Sequence, residues 1–201
     1  MLNSTKAIIF VLFLGFLAGC NDQQQMDNQD QMDHQTNQQQ ADQQRDQQPD
    51  FDELVAVLHP TEGNEANGVV RFTKTDNGVS VEGEIHGLEP NSNHGFHIHE
   101  FGDCTASDGT SAGGHFDPHD QPHGGPDDQE RHVGDMGNIT SDDNGTAEIS
   151  YTDPIMTFSG EASILGRGVI VHAGEDDLES QPTGDAGDRL SCGVIGVAEH
   201  E

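Results

Sequence analysis

Basic residues are scarce in this 201-residue chain, which has seven Lys and Arg against 37 Asp and Glu and a formal net charge of −30. Most of this excess lies in residues 51–201, which hold 30 acidic residues and five basic ones. Because a field of this sign repels phosphate, we expect no nucleic-acid partner. Helical periodicity is also almost absent from the same region, which argues against an α-helical domain.

Long apolar stretches are equally rare, and the clearest is an eleven-residue run from Ala7 to Leu17. A helix of that length is too short to cross a hydrocarbon core of about 30 Å. With Lys6 before it, the run has the layout of a signal peptide, which we assign to residues 1–19. The Leu-Ala-Gly-Cys sequence ending at Cys20 resembles a bacterial lipoprotein processing site. This resemblance implies acylation of the Cys20 sulfur and an extracytoplasmic protein, lipid-anchored to the bacterial cell membrane. An ordinary secretory signal with a chance cysteine is the alternative.

Residues 21–50 consist almost wholly of Gln, Asp and Asn. Such a composition cannot bury a core, so we predict that residues 20–50 are the acylated cysteine followed by a disordered linker. A flexible tether of this length has a root-mean-square reach of roughly 30 Å. Metal delivery by Met26, Met32 and His34 is the alternative to a solvated spacer. Residues 51–201 then form one domain.

Short stretches with β-type patterning, bounded by turn residues, fill this domain. The predicted strands are Leu54–Leu58, Gly68–Lys74, Val79–His86, Gly95–His99, Gly137–Thr140, Ala147–Tyr151, Gly168–His172 and Gly193–Ala198. The Asn-Gly steps at 77–78 and 144–145 are typical of hairpin turns, because these residues tolerate positive φ. Eight strands with two long loops, near 100–136 and 173–192, predict an all-β Greek-key sandwich or flattened barrel. Loops of this length are uncommon unless they are functional.

Metal-capable side chains crowd the 76 residues from 97 to 172. They are His97, His99, His115, His123, His132, Asp135 and His172. His97 and His99 are two apart, so on a β-strand their imidazoles project from the same face and can hold one ion. The Gly/Pro/Asp-rich segment that follows must be a loop, and its three imidazoles and one carboxylate suit a tetrahedral Zn²⁺ site. The spacings therefore suit two metal sites that share a loop.

Five segments of the chain carry a resemblance to a known family: GFHIHEFGD, SAGGHFDP, HGGP, RHVGD and GDRLSCGVIG, in this order. Together they resemble copper/zinc superoxide dismutase from about Val55 to Ala198, and several motifs in one order are far more specific than a single pattern. The resemblance implies dismutation of superoxide to O₂ and H₂O₂ by a ping-pong copper redox cycle, which would protect the cell envelope from oxidative damage. It also implies copper and zinc as cofactors and admits a homodimer.

The same resemblance assigns roles to individual residues. It implies copper ligands His97, His99, His115 and His172, and zinc ligands His115, His123, His132 and Asp135. His115 would serve both metals as a bridging imidazolate that takes up and donates a proton. Asp176 would hydrogen-bond ligands of both metals and fix their tautomers, although by position alone it is one more acid in an acidic run. Arg189 would dock superoxide through its permanently charged guanidinium, where an isolated arginine would be a surface ion-pair partner.

Three cysteines are present in the chain. Because the lipoprotein resemblance assigns Cys20 to the lipid, Cys104 and Cys192 remain, and outside the cytoplasm we expect them to form a disulfide. A free buried thiol is the alternative.

The other histidines are given lesser roles. The resemblance makes His94 a structural residue beside the copper site. His119 could compete as a zinc ligand, but the spacing favours His123. The remaining ones are predicted at the surface or in turns: His59, His86 and His200.

Two other classes of function stay open beside the enzyme. Loss of a copper ligand would have pointed to a non-enzymatic copper/zinc-binding surface lipoprotein, and all four ligands are present. A tethered interaction domain would show an exposed apolar patch, and the strand sequences show no clear one. The acidic excess should repel superoxide, and residues 173–188 contain no lysine that would attract it. We therefore expect activity to rise as salt screens this repulsion.

Overall fold

Eight β-strands and one short 3₁₀ helix make up the computed structural model of the chain, which describes residues 51–199. The elements are β1 Glu53–Pro60, β2 Asn67–Thr75, β3 Gly78–His86, β4 Asn93–His99, the 3₁₀ helix Thr110–Ala112, β5 Asp135–Thr140, β6 Ala147–Asp153, β7 Gly168–His172 and β8 Arg189–Val197. Among the described residues, no helix is long and apolar enough to cross a membrane. The predicted signal peptide, Cys20, the linker and His200 lie outside the described residues.

The strands pair antiparallel in the order β5-β4-β7-β8-β1-β2-β3-β6, and the edge strands β5 and β6 contact each other. The connections from β3 to β4 and from β6 to β7 join strands that are not neighbours. This arrangement confirms the predicted eight-stranded Greek-key fold, a sandwich that almost closes into a barrel.

The turn at 142–145 is not a hairpin between paired strands. Locally it is tight, because Gly145 N donates to Asp142 O (3.2 Å) and Asn144 N donates to Asp142 Oδ1 (2.8 Å). It connects β5 and β6, however, which stand at opposite ends of the hydrogen-bonded order. The hairpin prediction at this Asn-Gly step was wrong because a turn motif does not specify which strand pairs with which. The Asn-Gly step at 77–78 does belong to a hairpin, between β2 and β3.

Strands β4 and β7 are covered on both faces. After its first residue every residue of β4 is buried, as is the whole of β7. One face packs into the core through residues such as Phe96 and Val169. The other face lies under two long segments, loop 100–134 and loop 173–188. Side chains on that outer face, such as His97, are therefore sealed between the sheet and the loops.

The second loop is four residues shorter than predicted, because β8 begins at Arg189 rather than at Gly193. The first residues of β8 already pair with β7: Ser191 lies opposite Val171, and Cys192 lies opposite Ile170. Arg189 is therefore the first residue of a strand, and its main chain is held by the sheet.

Cys104 and Cys192 form a disulfide with their Cα atoms 5.8 Å apart, which confirms the predicted pairing. The bond fastens the beginning of loop 100–134 to β8. For the sequence separation of 88 residues, the chain-entropy model credits it with about 4–5 kcal/mol. The disulfide thus helps to hold a loop that has little regular secondary structure of its own.

Candidate metal centre

Four imidazoles meet on the outer face of β4 and β7, and we call them the first cluster: His97, His99, His115 and His172. One nitrogen from each lies within 4.8 Å of the others, and all four side chains are buried. His97 and His99 take alternate positions of β4, and His172 ends β7. A β-bridge with His99 brings His115 alongside. His99 Nε2 and His172 Nε2 are 3.2 Å apart.

Main-chain carbonyls orient two of these rings. His99 Nδ1 lies 3.0 Å from Gly113 O, and His172 Nδ1 lies 3.1 Å from Gly187 O. As donors to these carbonyls, the Nδ1 atoms leave Nε2 of each ring directed at the cluster. His94 Nδ1 contacts His172 O at 2.9 Å, so this buried histidine braces the main chain of His172.

Asp135 organises a second cluster, formed by His115, His123, His132 and Asp135. Its Oδ1 lies 2.7, 3.0 and 3.1 Å from the Nδ1 atoms of the three histidines, in that order. Its Oδ2 accepts hydrogen bonds from the main-chain amides of Gly124 (3.1 Å) and His132 (2.9 Å). Burial alone would raise the pKa of Asp135, but the imidazole hydrogen bonds hold that pKa well below its usual range. The second cluster therefore contains an ionised carboxylate.

His115 belongs to both clusters, with Nδ1 facing Asp135 and Nε2 left for the first cluster. Within residues 51–199, three buried ring nitrogens have no hydrogen-bond partner: His97 Nδ1 and His115 Nε2, which belong to the first cluster, and His94 Nε2, which belongs to neither cluster. Leaving such atoms unpartnered costs free energy, which a bound metal ion would offset. Imidazole suits both copper and zinc, and three imidazoles with one carboxylate suit tetrahedral zinc. The donor sets fit one copper and one zinc ion.

Burial keeps the imidazoles of His115 and His172 neutral. It lowers the pKa of His115 to about 4, although the hydrogen bond to Asp135 acts in the opposite direction. It lowers the pKa of His172 to about 3, with a further contribution from His97. His123 differs, because hydrogen bonds to two carboxylates outweigh burial and raise its pKa to about 9. Since a metal binds the neutral ring, His115 and His172 are ready to bind at neutral pH.

Asp176 connects the two clusters. Its Oδ2 accepts a hydrogen bond from His97 Nε2 (2.7 Å), and its Oδ1 lies 3.0 Å from His123 Nε2. Its own main chain is held by Asn138, whose Oδ1 accepts from Asp176 N and whose Nδ2 donates to Asp176 O, both at 2.8 Å. Sequence reasoning missed Asn138, because an asparagine within a strand carries no motif.

Arg189 is tied to the first cluster through a shared carbonyl. Its Nη1 donates to Gly109 O and its Nη2 to Gly113 O, both at 2.6 Å. Gly113 O is also the partner of His99 Nδ1. The guanidinium and this imidazole are therefore positioned by the same peptide group.

Acidic side chains surround Arg189. A cavity of about 320 Å³ beside it is lined in part by Glu62, Asp108 and Asp188. Loop 173–188, which precedes Arg189 in the chain, also carries exposed acids and no Lys or Arg: Glu175, Asp177, Glu179 and Asp185. The surroundings of the arginine are thus negatively charged.

Three other histidines among the described residues belong to neither cluster. His119 is exposed and outside both, whereas His123 is inside. His59 and His86 are exposed on β1 and β3.

An antiparallel eight-stranded barrel whose outer face carries two adjoining metal-capable clusters defines a two-metal β-barrel protein. A family model described as copper/zinc superoxide dismutase matches residues 66–195. The chain therefore belongs to the copper/zinc superoxide dismutase family, whose members are oxidoreductases that use copper and zinc. This membership confirms the resemblance inferred from the motifs.

Individual relatives agree with the family assignment. Superoxide dismutase (Cu-Zn) A of Xenopus laevis is 52% identical over 139 residues, which cover 66% of this chain and 90% of that protein. Extracellular superoxide dismutase (Cu-Zn) of Brugia pahangi is 44% identical over 153 residues, 72% of this chain and 75% of that protein. The crystal structure of the clock protein EA4 superposes with a TM-score of 0.67 at 40% identity, covering 74% of this chain and 96% of that one.

Proposed function

We propose that this chain dismutates superoxide, converting two superoxide anions and two protons into O₂ and H₂O₂. The observation that carries the proposal is the pair of buried clusters that share His115, within a chain of this family. We assign the first cluster to copper and the second cluster to zinc. When bound, copper supplies a redox couple, and zinc, which has none, supplies a fixed positive charge.

The chain's own residues prepare the site for this chemistry. Asp176 holds one ring of each cluster through Nε2, which supports a role in fixing their tautomers. His115 Nε2 is buried and without a hydrogen-bond partner among the described residues, and we propose it as the atom that carries a proton to the peroxide product.

Arg189 is the proposed docking residue for superoxide. A guanidinium is always charged and offers several donors to a small anion. Two of its nitrogens are held by the carbonyls of Gly109 and Gly113, which fixes the group beside His99. These contacts support a role in orienting the substrate.

The test is superoxide dismutation by the full chain loaded with copper and zinc, compared with His172→Ala and with His119→Ala as the exposed control. We expect turnover that His172→Ala abolishes and His119→Ala leaves intact. Stoichiometric copper and zinc without turnover would instead support the alternative, a non-enzymatic copper/zinc-binding surface lipoprotein.

We also propose the domain organisation and location predicted from the sequence: signal peptide 1–19, acylated Cys20 with linker 20–50, and catalytic domain 51–201. Support comes from the apolar run and the residues before Cys20. The location would place the enzyme where it protects the cell envelope. Mass spectrometry of the exported chain should find a diacylglyceryl group on Cys20, and Cys20→Ser should release the protein from membranes.

A homodimer is proposed through the outer face of β2, β1 and β8. Val57 lies opposite Val69, and continuing the β1–β8 register from Ala56 opposite Ile195 puts Val194 on its other side. Val69, Val57 and Val194 are 41%, 48% and 42% exposed. The strand sequences showed no clear apolar patch, because sequence alone does not reveal which valines of neighbouring strands are exposed side by side. Because two strongly acidic copies repel each other, they should pair where uncharged side chains dominate, as in this valine row, which Glu84 borders opposite Val69. Light scattering should give a dimer mass that Val57→Glu reduces and Val197→Glu, at the end of β8, does not.

A further inference from the structure

Loop 100–134 and loop 173–188 are joined at His123 by one side chain. Gln181 Oε1 accepts a hydrogen bond from His123 N at 2.8 Å. Gln181 Nε2 donates to His123 O at 2.9 Å. A single primary amide therefore pairs with both main-chain polar groups of a residue 58 positions earlier in the chain.

His123 needs such support, because it lies in a segment without regular secondary structure. A main-chain N–H and C=O outside a strand or helix have no ladder partners. The ring of the same residue is held at both nitrogens, 3.0 Å from Asp135 Oδ1 and 3.0 Å from Asp176 Oδ1. Gln181 adds control of the main chain that carries this ring, so the backbone and the ring are positioned together.

A tight turn presents Gln181 at the correct place. Asp177 Oδ1 accepts from the amides of Glu179 (3.0 Å) and Ser180 (2.8 Å), and Gly184 N donates to Ser180 O (2.7 Å). Gly184 has a φ of +70°, and a Cβ atom there would lie 1.8 Å from an oxygen of the Asp176 carboxylate. The turn is therefore packed directly against the carboxylate that contacts the ring of His123.

We propose that Gln181 is a positioning residue for the zinc site: it latches loop 173–188 onto the main chain of His123 and slows the release of zinc from the second cluster. The proposal rests on the assignment of zinc to that cluster. Zinc leaves only after a ligand moves, and His123 moves freely only after the latch opens. Partners of metal ligands typically contribute 10–100-fold in metal affinity. Because Gln181 is exposed to solvent, we expect the lower end of this range.

The experiment measures zinc release from the full chain loaded with copper and zinc, using a colorimetric zinc chelator in excess. Gln181→Ala should release zinc about tenfold faster than the natural chain. Gln181→Glu keeps an acceptor for His123 N but lacks the donor to His123 O. Its rate of zinc release should therefore lie between the rates of the natural chain and of Gln181→Ala. Gln121→Ala is the matched control, because the Gln121 amide donates to His119 O two residues away and does not join the loops.

Two further measurements separate positioning from general stabilisation. Hydrogen exchange of the His123 amide should be faster in Gln181→Ala, whereas the thermal midpoint of the metal-free chain should not change. Unchanged zinc release would overturn the proposal. Faster release matched by an equal effect in Gln121→Ala, or by a lower metal-free midpoint, would overturn it as well.

The natural chain and His132→Ala distinguish failure of the latch from failure of the zinc assignment. If the natural chain holds zinc and His132→Ala does not, the second cluster is the zinc site, and the Gln181 variants then decide the latch alone. If His132→Ala retains zinc as the natural chain does, the assignment fails, and the latch proposal fails with it.

Discussion

Arg131 Nη2 and Asp153 Oδ2 lie 2.6 Å apart in a salt bridge whose two side chains are almost completely buried. Arg131 Nη1 also donates to His132 O (3.0 Å) and Asp135 O (3.2 Å). Asp153 ends β6, and Asp135 begins β5. The arginine therefore joins the two edge strands and holds the main chain of two residues of the second cluster.

Replacing this arginine should destabilise the fold strongly. Arg131→Met leaves the Asp153 charge buried without its partner, so we expect the free energy of unfolding to fall by about 3–5 kcal/mol. Urea unfolding of the metal-free full chain measures this quantity. Arg71→Met, which removes an exposed salt bridge with Glu53, is the control and should cost less than about 1 kcal/mol. If the free energy of unfolding falls equally in the two variants, the buried Arg131–Asp153 pair contributes no more to stability than the exposed one.

Removing the carboxylate that connects the clusters should weaken the binding of both metals. Asp176→Asn loses negative charge beside His97 and His123, so we expect copper and zinc affinities to fall by about 10–100-fold in chelator competition. The exposed neighbour Glu175 provides the control, and Glu175→Gln should bind both metals normally. A loss confined to one metal would contradict a connecting role for Asp176.

Activity should increase with ionic strength. The acids around Arg189 repel an anionic substrate, and salt screens this repulsion over about 10 Å at 0.1 M. The second-order rate constant, measured by pulse radiolysis from low to moderate salt, should rise. Asp188→Asn should raise the low-salt value, and Glu84→Gln on β3 should change it less. If the rate constant of the natural chain stays constant or falls with salt, electrostatic repulsion by these acids does not limit the reaction.

Acidification should destabilise the metal-free chain. Between pH 6.5 and about 4 the unfolded chain is protonated at His115 and His172, whereas in the folded chain burial lowers the pKa of these residues to about 4 and about 3. The unfolded state then binds more protons, so the free energy of unfolding falls as pH falls, by on the order of 3 kcal/mol for each histidine. Urea unfolding at a series of pH values measures the slope. His172→Gln should reduce it and the exposed-site variant His119→Gln should not, while a slope of zero would refute the expectation.

Most of the barrel could be predicted from local patterning. In β1, the buried residues Leu54, Ala56 and Leu58 alternate with less buried ones, and this period of two is visible in the sequence. The seven metal-capable residues could be found for a similar reason, because their spacing follows from a strand and a Gly/Pro-rich loop.

Long-range contacts set the limit of that prediction. The pairing partners of β5 and β6 are not encoded in the turn between them, so a hairpin was inferred where none exists. Gln181 and Asn138 act through main-chain groups of distant residues, and neither amide differs in sequence from an ordinary surface residue. The valine row around Val57 depends on three strands lying side by side, which only the register reveals.

The covering of β4 by loops from later in the chain imposes an order on maturation. His97 and His99 lie on β4 and His172 ends β7, so the four-imidazole cluster requires β7 to be paired against β4. An incomplete chain therefore presents only part of the cluster to metal ions. Full-affinity metal binding at the first cluster therefore requires nearly the whole domain to be folded, so folding has to precede metal capture.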